Sequence, residues 1–440
     1  MKPPMKQVLI FLSVLGCMIL PSSVHAQPTI DRTIQGQVFS KITVALAGFA
    51  PFQLNNEDAG KLASDVLTAD LKFTNVFDVM EPAILPFDPK TVQFDQEKTL
   101  LPGLASLKIQ HLVVGQVSSR GPEVVLEGRL FEVGSGNMVF GKRYVGDPKF
   151  FRLIVHRFAD DILFNLTGEK GVAQTRIAFV SATGRTSKEL FVMDYDGANT
   201  SAVTGNQSIN LSPRWSPDGR QLAYTSYQRD KDNRENPNLI VLNWDSGRRT
   251  VLSSQPGLNV SPAWSPDGQW LAFAMSSHGG TNLFLVPKGG GTPKPITAGP
   301  SISVSPSFSP NGRQIVFNSD RGGTPQIYIM DVEGSNLRRI TFQGTYNSAP
   351  RWSPRGEKVA FICRNGDNQI CLINPDGSGL QQLTSQGKNE DPAWSPDGRH
   401  LVFTSTRTGH RDIFLMHADG SGQQRVTNNG RDNTLPDWSP

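Results

Sequence analysis

The chain repeats itself. Trp215-Ser-Pro-Asp-Gly219 recurs as Trp264-Ser-Pro-Asp-Gly268, Phe308-Ser-Pro-Asn-Gly312, Trp352-Ser-Pro-Arg-Gly356 and Trp394-Ser-Pro-Asp-Gly398, and a partial copy stands at Trp438-Ser-Pro440. The spacings are 49, 44, 44, 42 and 44 residues. A period of this size is the mark of a repeat architecture. After each complete copy comes an alternating strand such as Ile315-Val-Phe-Asn-Ser319, a turn, and a second strand such as Gln326-Ile-Tyr-Ile-Met330. A further turn, as in Asn374-Pro-Asp-Gly377, leads to a short third strand ending in Ile340-Thr341, Leu383-Thr384 or Val426-Thr427. Alternation gives each strand two apolar-capable faces, and Pro-Asp-Gly supplies the turn geometry. One such sheet cannot bury both faces alone. A ring of them can, and it also hides most strand edges.

The ends of the array fix the count. The first unit begins at Arg176-Ile-Ala-Phe-Val-Ser181 with no Trp-Ser-Pro before it, and Leu435-Pro-Asp-Trp-Ser-Pro440 supplies the missing element. The expected fold is an all-β six-bladed propeller over residues 176–440, closed by its last strand and preceded by a smaller α/β domain over 27–168. In that domain Ile42–Ala47, His111–Gly115, Val124–Phe131 and Met138–Tyr144 read as strands. Leu62, Ala63, Val66, Leu67 and Leu71 form one helical stripe, with acidic residues expected in its first turn. Phe151, Ile154, Val155, Phe158, Ile162 and Leu166 form another, with Arg152, Arg157, Asp160 and Asp161 opposite.

Residues 1–26 have the layout of a secretory signal peptide: Lys2 and Lys6, an apolar run from Val8 to Leu20, then Val24-His25-Ala26. Lipid attachment at Cys17 is the rival reading; the apolar run continues past that cysteine. The formal charge of +4 includes the two leader lysines, too little on a chain of 440 residues for a phosphate-binding face, so nucleic acid is excluded as a partner. Cys363 and Cys371 flank the turn-like Arg364-Asn-Gly-Asp-Asn-Gln369. A disulfide across a hairpin and two small apolar side chains within one blade both fit.

No nucleophile elbow, His-Glu-x-x-His, Walker loop or dinucleotide fingerprint occurs. No metal or cofactor is expected, and His111, His156, His278, His400, His410 and His417 are scattered through different elements. The expectation is a binding protein rather than an enzyme. The alternatives are an exported hydrolase or lyase using the propeller channel, and a peptidoglycan- or carbohydrate-binding structural protein. The candidate surface is the rim entering each Trp-Ser-Pro: Asn210-Leu-Ser-Pro213, Asn259-Val-Ser-Pro262, Ser303-Val-Ser-Pro306, Asn347-Ser-Ala-Pro350, Asn389-Glu-Asp-Pro392 and Asn433-Thr-Leu-Pro436. The asparagine side chain caps backbone groups, and the two residues after it vary. The candidate contacts are Leu211, Leu258, Asn259, Val260, Ser261, Ser303, Val304, Ser305, Asn347, Ser348, Asn389, Glu390 and Thr434.

With leader, α/β domain, six-bladed array and terminal Leu-Pro-x-Trp-Ser-Pro all present, the chain resembles the TolB family of the Gram-negative Tol-Pal system. The resemblance implies a periplasmic, non-enzymatic, monomeric adaptor. Its partners would be the peptidoglycan-associated lipoprotein Pal at the propeller rim and TolA at the mature N-terminus, with bacteriocins as a further class. It implies roles in outer-membrane integrity and cell division. Gln27 to Val38, with Thr29, Ile30, Asp31, Ile34 and Val38, matches the family's TolA-reaching segment. Leu258 stands where well-studied members carry a histidine.

Overall fold

The structure is a computed structural model, and it describes residues 40–54, 57–229, 235–277 and 279–440. The leader, the segment with Thr29, Ile30, Asp31, Ile34 and Val38, residues 230–234 of the charged stretch Arg229-Asp-Lys-Asp-Asn-Arg-Glu235 that lengthens the first interval to 49, and His278 lie outside the described residues.

The repeat folds as expected, and each Ser-Pro-Asp-Gly explains its own turn. Ser216 Oγ donates to Asp218 Oδ1, which also accepts from Arg220 N, while Gly219 sits at φ 67° and donates to Ser216 O. Asp397 and Asn311 repeat the arrangement in their own copies. A side-chain oxygen that accepts two residues on closes the turn, and glycine takes the left-handed position.

Six four-stranded antiparallel sheets result. The inner strand of blades 2 to 6 is Asn210–Trp215, Asn259–Trp264, Ser303–Phe308, Asn347–Trp352 and Asn389–Trp394 in turn. Blade 1 takes its inner strand, Asn433–Trp438, from the far end of the chain. These six strands touch one another in cyclic order. Each aromatic plate fills the seam with the preceding blade. Trp215 packs with Val180, Leu190 and Val192 of blade 1, and Trp264 packs with Ala223, Leu239 and Val241 of blade 2. Trp438 closes the last seam among Ala393, Val402, Ile413 and Leu415 of blade 6. The closing strand pairs Trp438 with Ile177 and Asn433 with Ser181, and Ser439 and Arg176 exchange two bonds of 2.8 Å.

The smaller domain is a five-stranded sheet. Its strands are β1 (Ile42–Gly48), β2 (Phe77–Val79), β3 (His111–Arg120), β4 (Glu123–Glu132) and β5 (Met138–Gly146), in the order β2-β1-β3-β4-β5. β1 runs parallel to both neighbours, and the rest is antiparallel. Period-2 alternation divides β1 between two cores. Val44 and Leu46 join helices α1 (Ala59–Phe73) and α3 (Phe151–Thr167), while Ala45 and Ala47 join Leu104 of α2 (Glu97–Ser106). Neither β2 nor α2, which contains Pro102, is foreshadowed in the sequence pattern. The acidic residue at the start of α1 corrects a detail. Asp58 is the cap, accepting from Lys61 N, and the first turn itself holds no acid. α3 ends at Gly168, at φ 73°.

Ile42–Pro440 forms one compact unit. The cluster of α1 and α3 runs on into Ile177, Phe179 and Met193 of blade 1. Phe73 stacks on His400 with centroids 4.2 Å apart, and its carbonyl lies 3.0 Å from His400 Nε2. The face of α3 that reads as polar is therefore not wholly solvated. Arg152 pairs with Asp196 of blade 1, and Asp160 accepts from Ala173 N and Gln174 N in the connector. No helix among the described residues is long and apolar enough to cross a membrane.

Cys363 and Cys371 are bonded, with Cα atoms 5.8 Å apart. They are diagonal rather than opposed: the hairpin register sets Cys363 against Gln369 and Cys371 against Phe361.

Candidate functional site

Every inner strand carries the same irregularity. The register slips between Leu211 and Arg214, Val260 and Ala263, Val304 and Ser307, Ser348 and Arg351, Glu390 and Ala393, and Thr434 and Asp437. At each slip the residue before proline is left-handed: Ser212 at φ 54°, Ser261 at 56°, Ser305 at 55°, Ala349 at 49°, Asp391 at 54° and Leu435 at 52°. Side chains avoid this region, at a cost of about 1–2 kcal/mol per residue. Bulges and strained backbone re-aim side chains and concentrate at functional positions. Six copies around one axis make a designed rim.

Burial follows the bulge. In most of the six strands the first, fourth and last residues are buried, and the second and third are half-exposed. The displayed pairs are Leu211-Ser212, Val260-Ser261, Val304-Ser305, Ser348-Ala349, Glu390-Asp391 and Thr434-Leu435. Within them Ser348 is buried. Leu258 is half-exposed beside Asn259. Five expected contacts are corrected here: Ser348 is 8% exposed, and Asn259, Ser303, Asn347 and Asn389 are at most 2% exposed and hold the loop from within.

The holding network has partners absent from the sequence reading. Asn347 Nδ2 donates to Gln326 Oε1, which also accepts from Thr341 Oγ1, and Thr341 in turn accepts from Ile327 N. Asn389, Gln369, Thr384 and Ile370 N repeat the set, and Asn210, Glu189, Thr204 and Leu190 N repeat it again. The Leu-Thr ending of one blade thus fixes the asparagine of the next. The signal was available: a polar residue stands in the second strand, directly before its apolar run, at the same place in each repeat, as in Glu189-Leu, Gln326-Ile and Gln369-Ile.

Charge enters the rim where blades 6, 1 and 2 meet. Arg214, buried, lies 3.5 Å from Asp437 Oδ1, and Asp437 Oδ2 accepts from Trp215 N at 2.8 Å. Asp391 Oδ2 accepts from Leu435 N at 3.3 Å. Although both residues are only half-buried overall, desolvation of their carboxyl groups pushes both up to about 6, Asp391 further through its neighbour Glu390, while Arg214 pulls each back down. The other displayed side chains are small, aliphatic or hydroxylic. Such a surface suits a folded protein partner better than a transition state. Among the described residues one His/Asp group is close enough to share an ion: Asp70, His156 and Asp196, away from the rim. His400 and His417, scattered in sequence, come together with centroids 5.2 Å apart in the stack on Phe73.

The strain has a measurable consequence. Ala349→Gly, at φ 49°, should raise stability by about 1 kcal/mol. Ala393→Gly, at a buried strand position of the neighbouring blade, should lower it by a similar amount. Urea midpoints of the two variants moving in the same direction would refute strain at position 349.

Residues 164–440 match the family model described as the TolB beta propeller domain, and residues 31–139 match the TolB amino-terminal domain. The chain is 34% identical over 226 residues to the Tol-Pal system protein TolB of Desulfosudis oleivorans, covering 51% of each. It is 40% identical over 226 residues to that of Geobacter sulfurreducens, covering 50% of each. The matches therefore span about half the length of these curated relatives. In fold the chain is similar to the crystal structure of TolB from Acinetobacter baumannii, with a TM-score of 0.76 and 24% identity over 91% of this chain and 97% of that one.

Proposed function

The chain belongs to the TolB family, and from that premise we propose that it is a periplasmic, non-enzymatic adaptor of the Tol-Pal system. The propeller rim binds the peptidoglycan-associated lipoprotein, and the segment with Thr29, Ile30, Asp31, Ile34 and Val38 reaches TolA. Through these contacts it supports outer-membrane integrity and cell division, and the same rim is the surface that a bacteriocin would use. The reading is supported above all by the sixfold bulge. It turns Leu211, Val260, Ser261, Val304, Ser305, Glu390 and Thr434 into one mouth, on a backbone whose shape does not depend on which side chains are shown. Common scaffold and variable display are what a docking surface requires.

Exchange of partners requires that each prefer one arrangement of the N-terminal segment. Pull-downs from envelope extract separate the two contacts. Val304→Arg places a charge on the rim and should lose the lipoprotein while keeping TolA. Deletion of residues 27–38 should do the reverse. Unchanged partner sets in two variants that melt like wild type would remove the adaptor model.

A further inference from the structure

Where α1 and α3 meet the first blade, His156, Asp70 and Tyr195 are shut away from solvent, and Asp196 and Arg152 stand half-buried beside them. His156 of α3 is 1% exposed, and its Nδ1 lies 2.7 Å from Asp70 Oδ2 of α1. The other oxygen of Asp70 accepts from Tyr195 Oη of blade 1 at 2.6 Å. On the far side of the imidazole, Nε2 has no hydrogen-bond partner and faces Asp196 Oδ2 of blade 1 at 3.7 Å. That same carboxylate oxygen pairs with Arg152 of α3. The remaining acid nearby, Asp160, is taken up by Ala173 N, Gln174 N and Gln174 Nε2.

Two arguments fix what the imidazole must carry. An ionised Asp70 only accepts, so Nδ1 holds a hydrogen. A neutral ring would then aim the lone pair of Nε2 at a carboxylate oxygen, acceptor against acceptor in a buried site, which is costly. Charge gives the second argument. Asp70 and Asp196 bring two negative charges and Arg152 one positive, so a single further positive charge makes the group neutral. A proton supplies that. A divalent cation between Nε2 and Asp196 would leave one net positive charge beside a guanidinium and against an imidazole that is itself 1% exposed.

We propose that His156 is held as the imidazolium and bridges Asp70 of the α/β domain to Asp196 of the first blade, forming a proton-dependent latch between the two domains. Burial alone works against the charged ring, but the hydrogen bond and charge of Asp70, followed by the charge of Asp196, outweigh it and raise its pKa, with Arg152 opposing. Burial raises the carboxyl of Asp70, against the hydrogen bond and charge of His156 and the bond from Tyr195, which all favour its ionised form, and burial raises the phenol of Tyr195, which keeps its proton and donates it to Asp70. The sign follows. A histidine raised by folding contributes stability that is complete below its unfolded value near 6.5 and is lost as pH climbs through the higher folded midpoint. The stacked Phe73 and His400 and the Arg399–Glu169 pair keep the domains joined when the latch opens.

The test uses the full chain. Amide hydrogen exchange of peptides covering residues 59–73 and 194–198 is followed from pH 6 to 9, corrected for the intrinsic rate, alongside the ring titration of His156 by NMR. Wild type should show a ring midpoint above 6.5, and protection should fall by about tenfold per pH unit between 6.5 and that midpoint and level off above it. Asp196→Asn should lower the midpoint, and His156→Gln should flatten the profile. A wild-type midpoint at or below 6.5 overturns the latch, as does an unaltered pH profile in His156→Gln. Protection that a chelator removes and zinc restores, in wild type only, assigns the facing acceptors to a metal and overturns it too. Should His156→Gln fail to fold, the midpoint of Asp196→Asn relative to wild type decides alone.

Discussion

Deletion of residues 433–440 should abolish the native propeller or lower its melting temperature by about 10 °C or more. The closing strand supplies every ladder bond on the inner edge of blade 1, and it carries Trp438, 5% exposed, whose Nε1 donates to Thr175 Oγ1 at 2.7 Å. Truncating a buried tryptophan to alanine alone costs about 3–5 kcal/mol. Loss of the strand also bares the edge of Arg176–Ala182 and one face of blade 6. The sum rivals the whole stability of an ordinary domain, about 5–15 kcal/mol. Trp438→Ala should sit between truncation and wild type. Calorimetry settles it: a truncated chain that melts cooperatively at the wild-type temperature would show that the ring does not depend on its closure.

The second large effect is expected at Arg214→Met. The substitution keeps most of the volume but leaves Asp437 and Asp391 without their cation, and removing one partner of a buried pair costs about 3–5 kcal/mol. The loss should depend on pH. Both carboxyls stand at about 6 in the folded chain against an ordinary 3.8, raised by burial. Folding therefore favours their protonated forms, and stability falls as pH rises from about 4 to about 6. Without Arg214 the folded midpoints move higher still, so the decline continues past 6. Unfolding free energies from urea titration should differ by the full amount at pH 8 and by less than about 1 kcal/mol at pH 5, where the carboxyls are largely neutral. An equal loss at both pH values would mean that Arg214 acts through packing alone.

Much of this architecture could be read from residues because the repeat constrains itself. Five complete copies of one turn, and a partial sixth whose strand completes the first blade, leave few ways to arrange the sheets. The variable pair after each asparagine was likewise legible, and burial separates that pair from its neighbours. The left-handed backbone was not legible. Ser212, Ala349, Asp391 and Leu435 share no side-chain property, and a following proline ordinarily favours extended backbone. The bulge overrides that local preference through pairing with the second strand of the blade.

The domain junction was hidden for another reason. Asp70 falls on the apolar side of α1, where sequence alone gives no cause for an acid. Its partners His156 and Tyr195 stand 86 and 125 residues away. Arg152 looked like solvated surface until Asp196 was brought to it by the first blade. Pairings of this kind are fixed only when both domains are assembled.

The seam between Thr175 and Trp438 spans 263 positions. A ribosome adding about 5–20 residues each second finishes the earlier half of that seam tens of seconds before the later half exists. Throughout that interval, Arg176–Ala182 presents an unpaired backbone edge able to recruit the wrong strand. The first-made blade is thus the last to be finished, its edge covered only when Asn433–Trp438 arrives.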